Sequence, residues 1–151
     1  MANLQKDLRE FVELLLANNV DFLVVGAHAL AFHARPRYTQ DVDFFVRSTE
    51  ANAENILKTI RDFGFESLKL TKEDFTHPDQ VIQLGMPPNR IDILTKISGV
   101  SFDEAWPKKV AGTLDGLDVF FISREDFVKN KQALGRRKDL ADVEEMERTN
   151  G

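Results

Sequence analysis

The stretch Gln40 to Val46, QDVDFFV, limits the folds open to this chain more than any other segment. It reads as a strand. Side chains on a strand alternate between faces, so Val42, Phe44 and Val46 share one face while Asp41 and Asp43 share the other with Phe45. A strand that becomes apolar on both faces enters a core. Its mouth nevertheless carries two acids, and acids there generally have a cationic partner, a metal or a function. Positions i and i+2 on a strand stand about 6.5–7 Å apart. Two carboxylates at that distance bracket one or two hard cations of the kind that assist phosphoryl transfer. Taken alone, Asp-x-Asp reads first as a solvated strand end.

Asp92 shifts that balance. It lies between Ile91 and Ile93 on a second expected strand, Arg90 to Thr95. The plain reading is a salt bridge to Arg90 or Lys96. On a strand beside the first, however, Asp92 completes a carboxylate cage for metal and is placed to act as general base toward an attacking hydroxyl. Spacing in sequence does not say whether the two strands are neighbours.

The rest of the chain supplies the frame. Leu4, Leu8, Phe11, Leu15 and Leu16 recur at helical spacing and predict a first helix over 4–17, capped by Asn3. Asp21 to Val25 predicts a buried strand ending at Gly26, and the Ala-rich run from Ala27 to His33 a short helix. Arg35-Pro36-Arg37 stops that helix. Ser48 or Thr49 caps a helix over 50–63 that carries Ile56, Leu57 and Ile60, with Gly64 at its end. Glu66–Leu70 and Val81–Gly85 read as a strand pair, and Met86-Pro87-Pro88-Asn89 as a turn. Phe102–Lys108 reads as a short helix or irregular segment, and Leu117–Ile122 as a strand entered through Asp115-Gly116. Ser123 caps a helix to Leu134 with Glu125 and Asp126 in its first turn, Gly135 breaks it, and a last amphipathic helix over 136–148 carries Leu140, Val143 and Met146. Interleaved strands and helices of this kind predict the α/β (α+β) class, a mixed β-sheet with helices packed on it.

Composition narrows the function. The chain has 151 residues, 42% hydrophobic and 30% charged, which suits one globular domain over 1–151, with C-terminal helices from about 123. It has no Cys, so disulfides and thiolate metal sites are excluded and a cytoplasmic location is natural. A net charge of −5 argues against broad electrostatic capture of nucleic acid. The polar start is not a secretory signal, and no apolar run approaches the roughly 20 residues of a membrane helix, so no membrane partner is expected.

Two segments carry a resemblance. Val25-Gly26-Ala27-His28-Ala29-Leu30, followed by Arg35-Pro36-Arg37-Tyr38-Thr39-Gln40-Asp41-Val42-Asp43, resembles the nucleotidyltransferase superfamily typified by DNA polymerase β and the minimal nucleotidyltransferases. That family pairs Gly-Gly or Gly-Ser at a strand-to-helix turn with a downstream Asp-x-Asp and a third acid on a later strand. Here the order is Gly26-Ala27, then Asp41 and Asp43, then Asp92. The Pro36, Arg37, Thr39, Asp41, Asp43 pattern is most similar to the abortive-infection nucleotidyltransferase toxins. The tail from Asn130 to Asp142, with Lys131 and Arg136, resembles the helical segment that follows the core in those proteins.

The resemblance implies a nucleotidyltransferase-like fold and transfer of a nucleoside monophosphate from an NTP, such as ATP, to an acceptor hydroxyl. Asp41, Asp43 and Asp92 would be the catalytic and metal-binding set for Mg²⁺ or Mn²⁺. Gly26, Ala27, Arg37, Thr39, Lys131 and Arg136 would hold the nucleotide. The acceptor would be an RNA such as tRNA, a protein side chain or a small molecule, and a toxin–antitoxin setting would add a cognate partner protein. One position departs from the pattern. Ala27 lacks the hydroxyl that a Ser would offer a phosphate, although backbone N–H groups at a helix N-terminus keep that capacity. The alternative is a catalytically inactive module that binds a nucleotide or a partner.

Other candidates read more plainly. His28 and His33 are five apart, a poor spacing for joint metal ligation on a helix, and His77 precedes Pro78 in an expected loop. Arg35, Arg37, Lys131, Arg136, Arg137 and Lys138 are of the type that gathers around a triphosphate, Lys131 and Arg136 first among them; the plain reading is a solvated helix face with charge pairs such as Lys138 and Asp142. Ser101, Thr113 and Ser123 have no evident His partner, no P-loop or nucleophile elbow is present, and Trp106 reads as a packing residue.

Overall fold

Thirteen named elements carry the chain in the computed structural model, which describes residues 2–34, 41–65, 69–86 and 89–150. They are α1 (Ala2–Ala17), β1 (Phe22–Val25), α2 (Gly26–His33), β2 (Asp41–Val46), α3 (Glu50–Phe63), α4 (Glu73–Thr76), β3 (Val81–Met86), β4 (Asn89–Leu94), α5 (Phe102–Ala105), β5 (Val110–Leu114), β6 (Leu117–Phe121), α6 (Arg124–Leu134) and α7 (Arg137–Asn150). A 3₁₀ turn over Trp106–Lys108 follows α5.

The strands form one six-stranded mixed sheet in the order β3-β4-β2-β1-β6-β5. β2 runs antiparallel to β1 and parallel to β4, while β1 and β6 are parallel. Hairpins supply both edges, β3 against β4 and β5 against β6. The α/β class with a mixed sheet and packed helices is therefore the architecture observed.

The apolar alternation of β2 decides where the core lies. Phe44 is fully buried, and its ring meets Phe11 of α1 at 5.8 Å and Phe22 of β1 edge-on at 5.4 Å. Phe11 in turn meets Phe63 of α3 at 5.1 Å, so α1 and α3 cover the Phe44 face together. Asn52, buried in the first turn of α3, fixes this layer to the sheet. Its side chain accepts from the Asp21 backbone N–H and donates to the Asp21 and Arg47 carbonyls, which ties the start of β1 to the end of β2. On the other face Phe45 packs edge-on against Phe102 at 5.2 Å.

Several expectations change. Glu66–Leu70 and Val81–Gly85 do not form a strand pair: Lys69 and Leu70 lie outside any strand, residues 66–68 lie outside the described residues, and β3 takes β4 as its partner, Met86 opposite Asn89. The short helix α4 stands in the intervening segment, with Phe75 buried beneath it. A strand is also gained. Asp115-Gly116 is a two-residue hairpin turn, both residues at positive φ (51° and 82°), and β5 precedes it. Two side chains counted in apolar faces, Leu16 and Leu140, are exposed, and Val12 takes the place of the first in the core. The helix over 50–63 is observed with Thr49 as its cap, and Gly64 and Gly135 end α3 and α6.

Candidate active site

The strand register that builds the sheet also gathers the acids. In the parallel β2–β4 pair, Asp41 lies opposite Arg90, Asp43 opposite Asp92, and Phe45 opposite Leu94. Paired residues of adjacent strands project from the same face at the interstrand spacing of about 4.8 Å. Asp41, Asp43, Arg90 and Asp92 therefore form a two-by-two grid of charges, the adjacency that sequence spacing left undetermined.

Each member is held differently. Asp92 is 8% exposed and receives the fork of Arg90, with Nε donating to Oδ1 at 3.0 Å and Nη2 to Oδ2 at 3.4 Å. The plain salt-bridge reading of Asp92 is thus observed together with its place in the acid cluster. Arg90 Nη2 also stands 3.8 Å from Asp41 Oδ2. Asp43 is the most perturbed group. Burial, the charge of Asp92, a carboxyl-to-carboxyl hydrogen bond with Asp92 and the charge of Asp41 together push it up to about 7, against the opposing charge of Lys131.

Gly26 makes room for this arrangement. Its φ of +69° belongs to the left-handed region that glycine adopts without penalty. A Cβ there would lie 2.1 Å from Asp43 Oδ2, 3.0 Å from its Cγ and 3.2 Å from its Cβ. The Asp43 carboxyl therefore rests on the bare Cα of the turn into α2. Val25 occupies the N-cap position of α2 and makes no side-chain cap, so no residue at that position caps the first-turn N–H groups, Ala27 among them.

The C-terminal helices bring cations to the same region. α6 and α7 pack on each other and on α2. Lys131 reaches Asp139 at 3.5 Å and Asp142 at 3.4 Å, with its ammonium 5.5 Å from the centre of the Phe127 ring. Arg136 is turned toward Asp139: its backbone N–H and its Nε donate to Oδ2 at 3.2 and 2.6 Å, and Nη2 donates to Oδ1 at 3.2 Å. Asp139, fully buried, is held below the usual carboxylate range by these bonds and then by the charge of Lys131.

The structure thus brings together Asp41, Asp43, Asp92, Gly26, Ala27 and Lys131 of the expected set. Arg136 is engaged with Asp139. Arg37 and Thr39, with Arg35, lie outside the described residues. Sequence reasoning treated Arg90 only as a salt-bridge candidate; its i, i+2 relation to Asp92 on a strand was the available signal for a role in the grid. Asp139 and Asp142 entered only as parts of a tail pattern, and nothing in their spacing pointed to burial.

His28 and His33 are half-buried and His77 is exposed. Burial lowers the pKa of His28, and His33 Nε2 hydrogen-bonds the Ile122 carbonyl at 2.7 Å. Trp106 stacks on Phe102 at 5.3 Å and lies under Lys109, whose Nζ is 4.2 Å from the ring centre. Among the described residues, no three His, Asp or Glu side chains stand as a ready metal shell, and no helix is long and apolar enough to cross a membrane.

The family model described as "Nucleotidyltransferase of unknown function (DUF6036)" matches residues 3–150, and the chain belongs to that family. Its fold is similar to the crystal structure of the lincosamide antibiotic adenylyltransferase LnuA with lincomycin bound, at 11% identity and a TM-score of 0.57, over 94% of this chain and 95% of that one. It is also similar to an antigenic nucleotidyltransferase-like protein from Paracoccidioides brasiliensis, at 18% identity and a TM-score of 0.52, over 93% of this chain and 72% of that one. No curated protein matches the sequence.

Proposed function

We propose that this protein transfers a nucleoside monophosphate from an NTP to an acceptor hydroxyl, with Asp41, Asp43 and Asp92 as the acidic centre. The observation that carries the reading is the register of Asp43 against Asp92, with the Asp43 carboxyl buried against Gly26. A fold has no structural use for two carboxyls pressed together on a pairing that raises the pKa of one to about 7. The donor set suits a hard divalent cation such as Mg²⁺ or Mn²⁺, which takes carboxylate and phosphate oxygens. Held by these three aspartates, such a cation would neutralise charge on the reacting phosphate and lower the pKa of the attacking hydroxyl.

The chain's own groups then have assignable roles. The first turn of α2, at Gly26 and Ala27, where Val25 makes no side-chain cap, offers backbone N–H donors to phosphate, which the missing hydroxyl of Ala27 does not remove. Lys131 presents a cation beside Asp43 that opposes the excess of acid. Asp92 accepts the proton of the attacking hydroxyl. The acceptor oxygen bonds to the α-phosphorus as the bond to the bridging oxygen breaks, and pyrophosphate departs. Arg37, Thr39 and Arg136 are assigned to the nucleotide by resemblance alone.

Two observations bear on the acceptor. The lincomycin-bound adenylyltransferase of similar fold supports a small hydroxyl-bearing molecule. The likeness of the 36–43 and 130–142 segments to abortive-infection toxins supports an RNA such as tRNA, or a protein side chain, and with it a cognate antitoxin-like partner. Thermal shift with Mg²⁺ and each NTP tests the site: wild type should gain stability and Asp43→Ala should not. Equal behaviour of the two proteins removes the basis of the reading. Incubation with labelled NTP, purified tRNA and a metabolite-depleted or complete cell extract then separates the acceptor classes by which fraction carries label.

A further inference from the structure

Arg90 engages a carboxylate that a metal at this site would use. Its fork engages both oxygens of Asp92, at 3.0 and 3.4 Å, and its Nη2 stands 3.8 Å from Asp41. The fork takes one lone pair on each oxygen of Asp92, and its positive charge beside that carboxylate opposes a divalent cation there. Arginine keeps its charge at every working pH, and deprotonation therefore offers no release. Movement does: the Arg90 side chain is 30% exposed, at the rim of the grid, and can leave Asp92 without disturbing the apolar core.

We infer that Arg90 is an internal counter-ion of the metal-free site, that a divalent cation competes with it for Asp92, and that the displaced guanidinium passes to the triphosphate. The last step follows from placement. Arg90 projects from the same face as the three acids, one register step from Asp92, and a planar fork that fits a carboxylate also fits a phosphate. Metal and nucleotide binding are then coupled. Nucleotide draws Arg90 away and frees Asp92 for metal, and by linkage metal strengthens nucleotide binding by the same factor. This rests on the metal reading of the three aspartates given above.

Titration with Mn²⁺ alone, followed by electron paramagnetic resonance of the free ion, measures the competition in wild type, Arg90→Gln and Arg90→Lys. Arg90→Gln should bind Mn²⁺ about tenfold more tightly, the equivalent of about 1.4 kcal/mol. Arg90→Lys, with one donor head in place of a fork, should fall between that variant and wild type, and it serves alone if the glutamine variant does not fold. With α,β-methylene-ATP present, the tightening of Mn²⁺ binding seen in wild type should shrink in both variants. Unchanged or weaker Mn²⁺ binding by a folded variant overturns the inference while leaving the metal reading intact. Absence of Mn²⁺ binding in all three proteins overturns both.

Discussion

Gly26→Ala tests the contact that holds the site together. At φ +69° an alanine carries a backbone penalty of about 1–2 kcal/mol. Its Cβ would also meet Asp43 Oδ2 at 2.1 Å and Cγ at 3.0 Å, well inside the 3.5–4.0 Å of ordinary carbon contact, and overpacking of this kind costs about 1–3 kcal/mol. The sum is about 2–5 kcal/mol. Asp43→Ala removes the two closest atoms and leaves only the Cβ at 3.2 Å, so in that background Gly26→Ala should cost about 1–2 kcal/mol, the backbone share. Urea unfolding of the four proteins, metal-free in EDTA, yields the coupling as the difference between the two costs. A coupling of about 1–3 kcal/mol is expected, since residues in contact deviate from additivity by that much. Equal costs within about 0.5 kcal/mol would mean that the Asp43 carboxyl does not rest on Gly26, and the site as built here would be wrong.

Two further outcomes follow from the charges. Asp43→Asn keeps the shape of the side chain and removes a charge that burial and its neighbours penalise, so the metal-free protein should become more stable at pH 8; the rise from 3.8 to about 7 sets an upper bound of about 4 kcal/mol. Because the folded value is raised, Asp43 favours folding below about pH 4 and loses that contribution as pH climbs through about 7. The advantage of the Asn variant should therefore vanish in acid, and a gain independent of pH contradicts the account. Asp139→Asn should cost about 2–4 kcal/mol at pH 7, because it removes the buried carboxylate that Arg136 engages and leaves Lys131 with Asp142 alone. The depressed folded pKa of Asp139 means its stabilisation is present above the unfolded carboxylate range and lost as pH falls through the folded value, so that cost should shrink in urea titrations at strongly acid pH.

The parts of the fold that the sequence displayed are those where one local rule acts without competition. Thr49, the Ile56–Leu57–Ile60 spacing and Gly64 each point to the same helix, and α3 is found over Glu50–Phe63. The parts it concealed depend on distant partners. β5 has small residues and a glycine mid-strand, and reads as a poor strand because its packing is supplied from elsewhere: a Cβ at Gly112 would lie 2.5 Å from the Phe32 ring of α2. Leu16 and Leu140 satisfy helical periodicity yet stay exposed, since periodicity marks one stripe and the tertiary contact decides its width. The candidate site divides in the same way. Asp41 and Asp43 on one face were legible from alternation, whereas the register placing Asp92 beside Asp43 is a property of the sheet. Arg90 looked like a salt-bridge partner and is one; its reach toward Asp41 needed the neighbouring strand.

The C-terminal helices show how the excess of acid is balanced. α7 buries few apolar side chains among its described residues, chiefly Val143 and Met146, so the ion contacts of Lys131 with Asp139 and Asp142 contribute to docking it on α6. Lys131 is therefore shared between Asp139, Asp142 and the field at Asp43. Arg90 is shared in the same way between Asp92 and Asp41. Among the described residues Arg90, Lys131 and Arg136 face Asp41, Asp43, Asp92, Asp139 and Asp142, and burial with the charges of Asp92 and Asp41 still raises the pKa of Asp43, so that carboxyl gives up its proton less readily. A proton is a single charge at one point. A divalent cation brings twice the charge and accepts oxygens from several sides, so it relieves the same repulsion more completely. The arrangement that makes the metal-free site costly is what would make it bind such a cation, and stability at Asp43 and affinity for metal should move in opposite directions across a series of substitutions there.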